Sequence, residues 1–213
     1  MNSKFAAAGL GLALAGAIAA HAVQPAMPSE APGADDPSRI AAGTYTVDAN
    51  HTQIVFEVDH LGFNPYFGIF GGTTGTLTID PANPSAASVQ IEIPLASIVT
   101  TSADLNAHLA TADFFDTTNY PTATFRSTSV AIDPADPTKA AIAGELGVRG
   151  RTIPVVLDAQ FTGAGASPMT QVATIGFHAT TTVRRSALGM DYGIPMVSDE
   201  VELEITAAFE KTG

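Results

Sequence analysis

Cysteine is absent from all 213 residues. Its absence removes disulfide staples, thiolate catalysis and cysteine metal ligands, and leaves a lipid-modified N-terminus without its acceptor. Such a chain is stable through its core alone, and one domain of this length can bury enough surface for that. Basic residues are also scarce, with 9 Lys and Arg against 21 Asp and Glu and a formal charge of −12. That imbalance argues against nucleic acid and against docking on anionic membrane surfaces. The basic pairs Arg149/Arg151 and Arg184/Arg185 read as solvated turn residues. Common enzyme signatures are missing: there is no Gly-x-Ser-x-Gly elbow, no Walker loop and no Gly-x-Gly-x-x-Gly after a strand. Gly71-Gly72 and the other glycine pairs read as turns and bulges.

The first residues read as an export signal. Lys4 precedes an apolar run from Phe5 to Ala20, and Ala20-His21-Ala22 fits a small-x-small cleavage site. The run is short of the ~20 residues that span a bilayer. The expectation is a periplasmic protein cleaved after Ala22, with residues 1–22 as signal peptide and no stable membrane anchor. Lys4 is the only charged residue removed, so 8 basic against 21 acidic residues leave the mature chain at −13. Residues 23–42, rich in Pro, Ala and acid, read as a disordered tether to a domain over 43–211.

From residue 43 onward, alternating runs dominate. Ile54, Phe56, Val58 and His60 share one face, and Leu77 and Ile79 oppose Thr76, Thr78 and Asp80. Val89, Ile91, Ile93 and Leu95 form another inward set, followed by Ile153, Val155, Leu157 and Phe161, and by Ala173, Ile175 and Phe177. In the last run Val201, Leu203, Ile205, Ala207 and Phe209 point in while Glu202, Glu204 and Glu210 point out. Turn signals separate these runs: Asp80-Pro-Ala-Asn-Pro84, Asp133-Pro-Ala-Asp-Pro137 and Gly163-Ala-Gly165. The spacing predicts an all-β fold of antiparallel meanders closing into a barrel or sandwich. Four rings, Phe63, Tyr66, Phe67 and Phe70, fall in a Gly-punctuated stretch that reads as a loop, either a hydrophobic plug or a flexible lining around a cavity mouth.

One stretch breaks the alternation. Leu105, His108, Leu109 and Ala112 recur at helical spacing, which predicts a short helix near residues 102–113. Thr101 and Asp104 match a capping box at its start, and Phe114 and Phe115 follow it. One apolar helix on a β scaffold suggests a plug or lid over a cavity. Among the histidines, His178 reads as external and His51 as a turn residue. His60 and His108 read as inward or apolar-facing, with Asp48, Asp104 and Asp113 as the nearest partners. Three scattered histidines without short ligand spacing make structural hydrogen bonding the better reading than a metal site.

These residues carry a resemblance. Asp104-x-x-x-His108-Leu, Asp113-Phe-Phe-Asp116 and Tyr120-Pro121-x-x-x-Phe125 resemble the signature of the YceI-like family, together with Tyr45-Thr-Val-Asp48, Gly68-Ile-Phe70 and Gly144-Glu-Leu146. The likeness spans roughly residues 43–210. One departure is Arg185-Ser-Ala-Leu-Gly189, where the family usually carries Asp and Phe in place of Ala187 and Leu188. The resemblance implies a lipocalin-like eight-stranded barrel that binds an isoprenoid quinone, polyprenol or other long-chain lipid, without a cofactor. Its expected lining is Phe56, Val58, His60, Leu77, Ile91, Ile93, Phe125, Val155, Ile175 and Phe177, with Phe67, Phe70, Phe114 and Phe115 closing the mouth. At ~0.8 kcal/mol per buried methylene, tight binding needs a tail of about twenty carbons or more once association costs are subtracted. Two other functions are consistent with the sequence: an envelope stress protein acting through its surface, and a hydrolase or isomerase using His60 or His108 as base. Alternation alone does not separate a hollow barrel from a filled one, but Ala123, Ala141, Ala143, Ala173 and Ala207 hint at space. The final acidic strand and the glycine loops offer edges through which a homodimer could form.

Overall fold

The computed structural model describes residues 29–212, so the expected signal segment lies outside the described residues. Ten strands follow in order: β1 (Gly43–Val47), β2 (Gln53–His60), β3 (Asn64–Phe70), β4 (Thr74–Ile79), β5 (Ser88–Pro94), β6 (Thr122–Ile132), β7 (Lys139–Val148), β8 (Arg151–Ala166), β9 (Ala173–Arg184) and β10 (Glu200–Lys211). One α-helix, α1 (Ala103–Leu109), sits between β5 and β6. All the pairings between these strands are antiparallel, running β1-β4-β5-β6-β7-β8-β9-β10 and closing where β1 pairs with β10. This is the expected eight-stranded barrel.

The count of ten comes from two interrupted strands. β1 and β2 share one edge of β10: Val47 lies opposite Phe209, and Ile54 opposite Ile205. Between them the chain turns on Asp48, whose carboxylate accepts the Asn50 amide at 3.0 Å. β3 and β4 form the matching interrupted partner, separated by Gly71-Gly72-Thr73. Three of the four rings read as a loop, Tyr66, Phe67 and Phe70, therefore lie on strand β3, because every residue from Asn64 to Phe70 has a partner on β2, while Phe63 is exposed in the β2–β3 turn. At Gly68 that pairing depends on the missing side chain: a Cβ there would lie 2.3 Å from the Phe56 ring. The Gly163-Ala-Gly165 turn signal is also corrected. It lies inside the β8–β9 hairpin, which turns only after Ala166, and a bulge between Phe161 and Gly163 bends the strand instead.

The helix is shorter than predicted, and Ser102 rather than Thr101 caps it, accepting the Leu105 amide at 3.2 Å. Thr101 is occupied elsewhere, 3.3 Å from the Tyr66 hydroxyl. Past Leu109 the chain continues in tight turns, the Phe115 amide donating to the Leu109 carbonyl at 3.0 Å. Leu109, Phe114 and Phe115 pack with Phe56, Phe70, Leu95, Ile98, Leu188 and Met190 to seal one end of the barrel. Phe70 and Phe115 meet edge to face, centroids 5.5 Å apart.

The opposite end is only partly covered. Tyr45, Phe161, Ala164, Ile175 and Phe209 form a second cluster there. Part of the stretch read as a tether joins it. Ala34 pairs with Ala164, Pro37–Arg39 form a 3₁₀ turn capped by Asp36, and Ile40 packs against the cluster. Composition marks these residues as polar and Pro-rich. The β8–β9 hairpin nonetheless offers them a backbone edge, and Ile40 finds apolar surface.

Candidate functional site

Between the sealed end and the partly covered one lies a cavity of about 340 Å³. Its wall is almost wholly aliphatic and aromatic, because the inward sides of β2 and of β4 to β10 end on it. Ile91, Ile93 and Phe125 contribute from β5 and β6, Ile142, Val155 and Leu157 from β7 and β8, and Phe177, Leu203 and Ile205 from β9 and β10. Pro37, Ile40, Pro81, Pro84 and Pro137 ring the outer end, where the β4–β5 and β6–β7 loops form the mouth. Ser88 and Ile93 both touch the cavity from opposite ends of β5. Five strand steps at ~3.3 Å give a depth of roughly 17 Å.

The small side chains that keep this space open are mostly not those singled out from sequence. Ala159 and Ala179, both buried and paired across β8 and β9, line the cavity with Ala140 and Ala207. Of the alanines picked from sequence only Ala207 is among them. Ala123 belongs to the sealed end, Ala141 is exposed on the outer face, and Ala143 and Ala173 lie off the wall.

The expected lining divides the same way. Leu77, Ile91, Ile93, Phe125, Val155 and Phe177 are brought together on the cavity wall. Phe56, Val58, Phe70, Phe114 and Phe115 lie in the packed cluster at the sealed end, so they form its stopper and not its mouth. Ile175 is 1% exposed but packs into the cluster beside Tyr45 and Ala164. Phe67 faces solvent opposite Glu57, at 52% exposure. His60 is exposed as well: it ends β2, where its backbone bridges Val197 and its ring lies against Tyr66. The inward alternation of β2 stops one residue pair before the hairpin.

No histidine of the described residues touches the cavity. His108 Nε2 lies 3.0 Å from Asp113, its ring edge-on to Phe114 and Tyr192. His178 lies 3.1 Å from Glu204 on the outer face, and His51 pairs with Asp48 at the β1–β2 turn. Among the described residues no three of His, Asp and Glu gather as metal ligands would. Lys139, at the rim and 3.6 Å from Asp136, is the one titratable residue on the wall. Four threonines also reach it. Thr52 bonds the Ala208 backbone in both directions, Thr138 donates to Asp136 at 2.6 Å, and Thr181 donates to the Val156 carbonyl at 2.9 Å. Thr73 Oγ1 is buried and has no partner among the described residues.

Arg185 overturns its reading as a solvated turn residue. It is 5% exposed, and its guanidinium donates to the carbonyls of Ser198, Met190, Tyr192 and Val197 at 2.8–2.9 Å. Burial pulls its pKa below the ordinary arginine value, and Asp199 and Asp191 oppose that shift. Asp199 itself is held below the usual carboxylate range by the Ser186 amide, against some burial, with help from the Ser186 hydroxyl and both arginines. The pair ties the loop after β9 to the strand that closes the barrel. Beside it, Arg149 donates to the carbonyls of Gly189 and Ala112, joining this loop to the helix segment.

A family model for the YceI-like domain matches residues 45–209. The chain belongs to the YceI-like family. Protein YceI of Shigella flexneri is 35% identical over 167 residues, covering 78% of this chain and 85% of its own. A UPF0312 protein of Vibrio cholerae is 34% identical over 168 residues, covering 77% and 85%. Among solved structures, BcnA of Burkholderia cenocepacia superposes with a TM-score of 0.67 at 26% identity, over 76% of this chain and 98% of its own. A polyisoprenoid binding domain from Saccharophagus degradans shares the fold at 17% identity, with a TM-score of 0.55 over 79% and 98%. Where the YceI-like pattern usually carries Asp and Phe, Ala187 is exposed and Leu188 is buried in the sealed end, so an apolar contact is kept there without the ring.

Proposed function

We propose that this YceI-like protein carries a long-chain isoprenoid or similar lipid inside its barrel, in the periplasm, and that it is a binding protein and not an enzyme. The apolar cavity, sealed at one end and open at the other, carries this reading. An engineered 150 Å³ cavity holds benzene, and by that ratio 340 Å³ holds roughly fourteen carbons. Fourteen carbons at ~0.8 kcal/mol give about 11 kcal/mol before association costs of several kcal/mol. A longer chain emerges through the mouth. The wall lacks any acid–base pair, and every histidine of the described residues is off it. Family membership and the polyisoprenoid binding domain of the same fold support the ligand class.

Native mass spectrometry of the mature protein, purified without detergent and then extracted with organic solvent, tests this. A bound species of several hundred daltons that extracts as an isoprenoid or other long-chain lipid is the expected result. A bare protein mass with no uptake of added polyprenol or quinone refutes it.

A further inference from the structure

We propose that the segment from Pro32 to Ile40 is part of the lipid site, a strap whose Pro37 and Ile40 cover the stretch of lipid that emerges through the mouth. This rests on the carrier reading above and adds a determinant of chain length to it. The YceI-like domain match begins only at residue 45, so the strap lies outside the matched domain and yet gives two residues to the cavity wall.

The strap is fastened at both ends. Ala34 and Ala164 exchange two backbone hydrogen bonds, at 3.1 and 2.9 Å, and the Tyr45 hydroxyl donates to the Ala41 carbonyl at 2.7 Å. A missing side chain on β8 permits the first contact: a Cβ on Gly165 would lie 2.1 Å from the Pro32 carbonyl oxygen, and its nearest neighbours all belong to Pro32 and Gly33. Between the anchors, Asp36 caps a 3₁₀ turn by accepting the Ser38 amide at 3.0 Å, and the Ile40 amide donates to the Pro37 carbonyl at 3.1 Å. Side chains three apart eclipse in such a turn. Pro37 and Ile40 therefore share one side and both line the cavity, while Asp36, Ser38 and Arg39 are exposed. Arg39 donates to the Pro32 carbonyl and pairs with Asp36, so its bonds stay within the strap. Pro37 and Ile40 are only half-buried, which leaves apolar surface on them for a lipid chain to cover. The cavity holds roughly fourteen carbons, so a chain of ten settles below the mouth and a chain of twenty passes under the strap.

The test measures, by competition, the affinity of unbranched primary alcohols of ten and twenty carbons for wild type, Ile40→Ser and Gly165→Val. The first variant removes apolar cover at the mouth. The second pushes the strap away from a position that is not on the cavity wall. Both are expected to lose about tenfold in affinity for the twenty-carbon alcohol, equivalent to about 1.4 kcal/mol or roughly two methylenes uncovered, and no more than about twofold for the ten-carbon one. In wild type the long alcohol is also expected to slow amide exchange at Ala34 and Ile40, and the short one to leave it unchanged, a readout that needs no variant. An equal loss for both lengths overturns the assignment, as does unchanged affinity for the long alcohol in either variant. Exchange at Ala34 and Ile40 that the long alcohol does not slow overturns it as well. Failure of wild type to bind either alcohol refutes the carrier reading itself, a result distinct from a loss confined to the variants.

Discussion

Replacing both Ala159 and Ala179 by leucine tests whether the barrel is hollow. The two methyl groups face the cavity side by side, paired across β8 and β9. Each substitution adds three carbons, and six carbons at ~0.8 kcal/mol give a ceiling of about 5 kcal/mol if all of them enter empty space. Half of that, about 2.5 kcal/mol, raises the melting temperature of a domain this size by about 5–10 °C. The same six carbons occupy nearly half of the room for roughly fourteen, so lipid affinity falls by up to about 5 kcal/mol, more than three decades in Kd. The two effects have opposite signs, and that is the diagnostic. Calorimetry of lipid-free protein and titration with a long-chain alcohol read them separately. In a filled barrel the same change overpacks the core and costs about 1–3 kcal/mol. A lower melting temperature with unchanged lipid affinity refutes the cavity argument.

Arg185→Met removes the donor to four loop carbonyls and is expected to cost about 3–5 kcal/mol in urea unfolding, with Arg185→Lys recovering only part because one ammonium cannot span four acceptors. Phe115→Ala is expected to lose about 2–3 kcal/mol of stability, below the range for a fully buried ring because Phe115 is half-buried, while lipid affinity stays unchanged because the ring is off the cavity wall. Asp199 has a lowered folded pKa, so its contribution to stability is complete above the unfolded value near 4 and fades as pH falls through the folded one. The urea midpoint should therefore begin to drop as pH falls below about 4, and Asp199→Asn should flatten that drop while lowering stability at neutral pH.

Much of the fold was legible because a barrel wall obeys a period of two. The run from Val201 to Phe209 states its own facing, and β10, paired with β9, β2 and β1, is the strand the sequence describes best. Half of the site followed from the same rule: Ile91, Ile93, Phe125 and Val155 face inward at the right depth. Periodicity does not report depth, however. Phe56 and Ile175 also face inward, but one packs under the helix and the other under the N-terminal segment, so neither meets empty space. Arg185 was misread because its partners are backbone carbonyls from Met190 to Ser198, and a carbonyl has no letter in the sequence. Thr73 was missed for a related reason. A threonine in a Gly71-Gly72-Thr73 turn looks ordinary until the fold shows that nothing among the described residues answers its hydroxyl.

The edge on which the barrel closes is shared by two strands. β10 meets β9 along nearly its whole length, from Glu200 to Glu210, but its other edge is divided: β2 pairs with it from Gln53 to Glu57, and β1 through Tyr45, Thr46 and Val47. The β1 part lies at the end where Ile40 borders the mouth, with the Tyr45 hydroxyl tied back to the Ala41 carbonyl at 2.7 Å. It is the shorter of the two pairings on that edge, held by three residue pairs and flanked by the Asp48–Ala208 and Thr212–Thr44 hydrogen bonds. Local breathing is expected to begin there, with amide exchange faster along Thr44–Val47 than across β9.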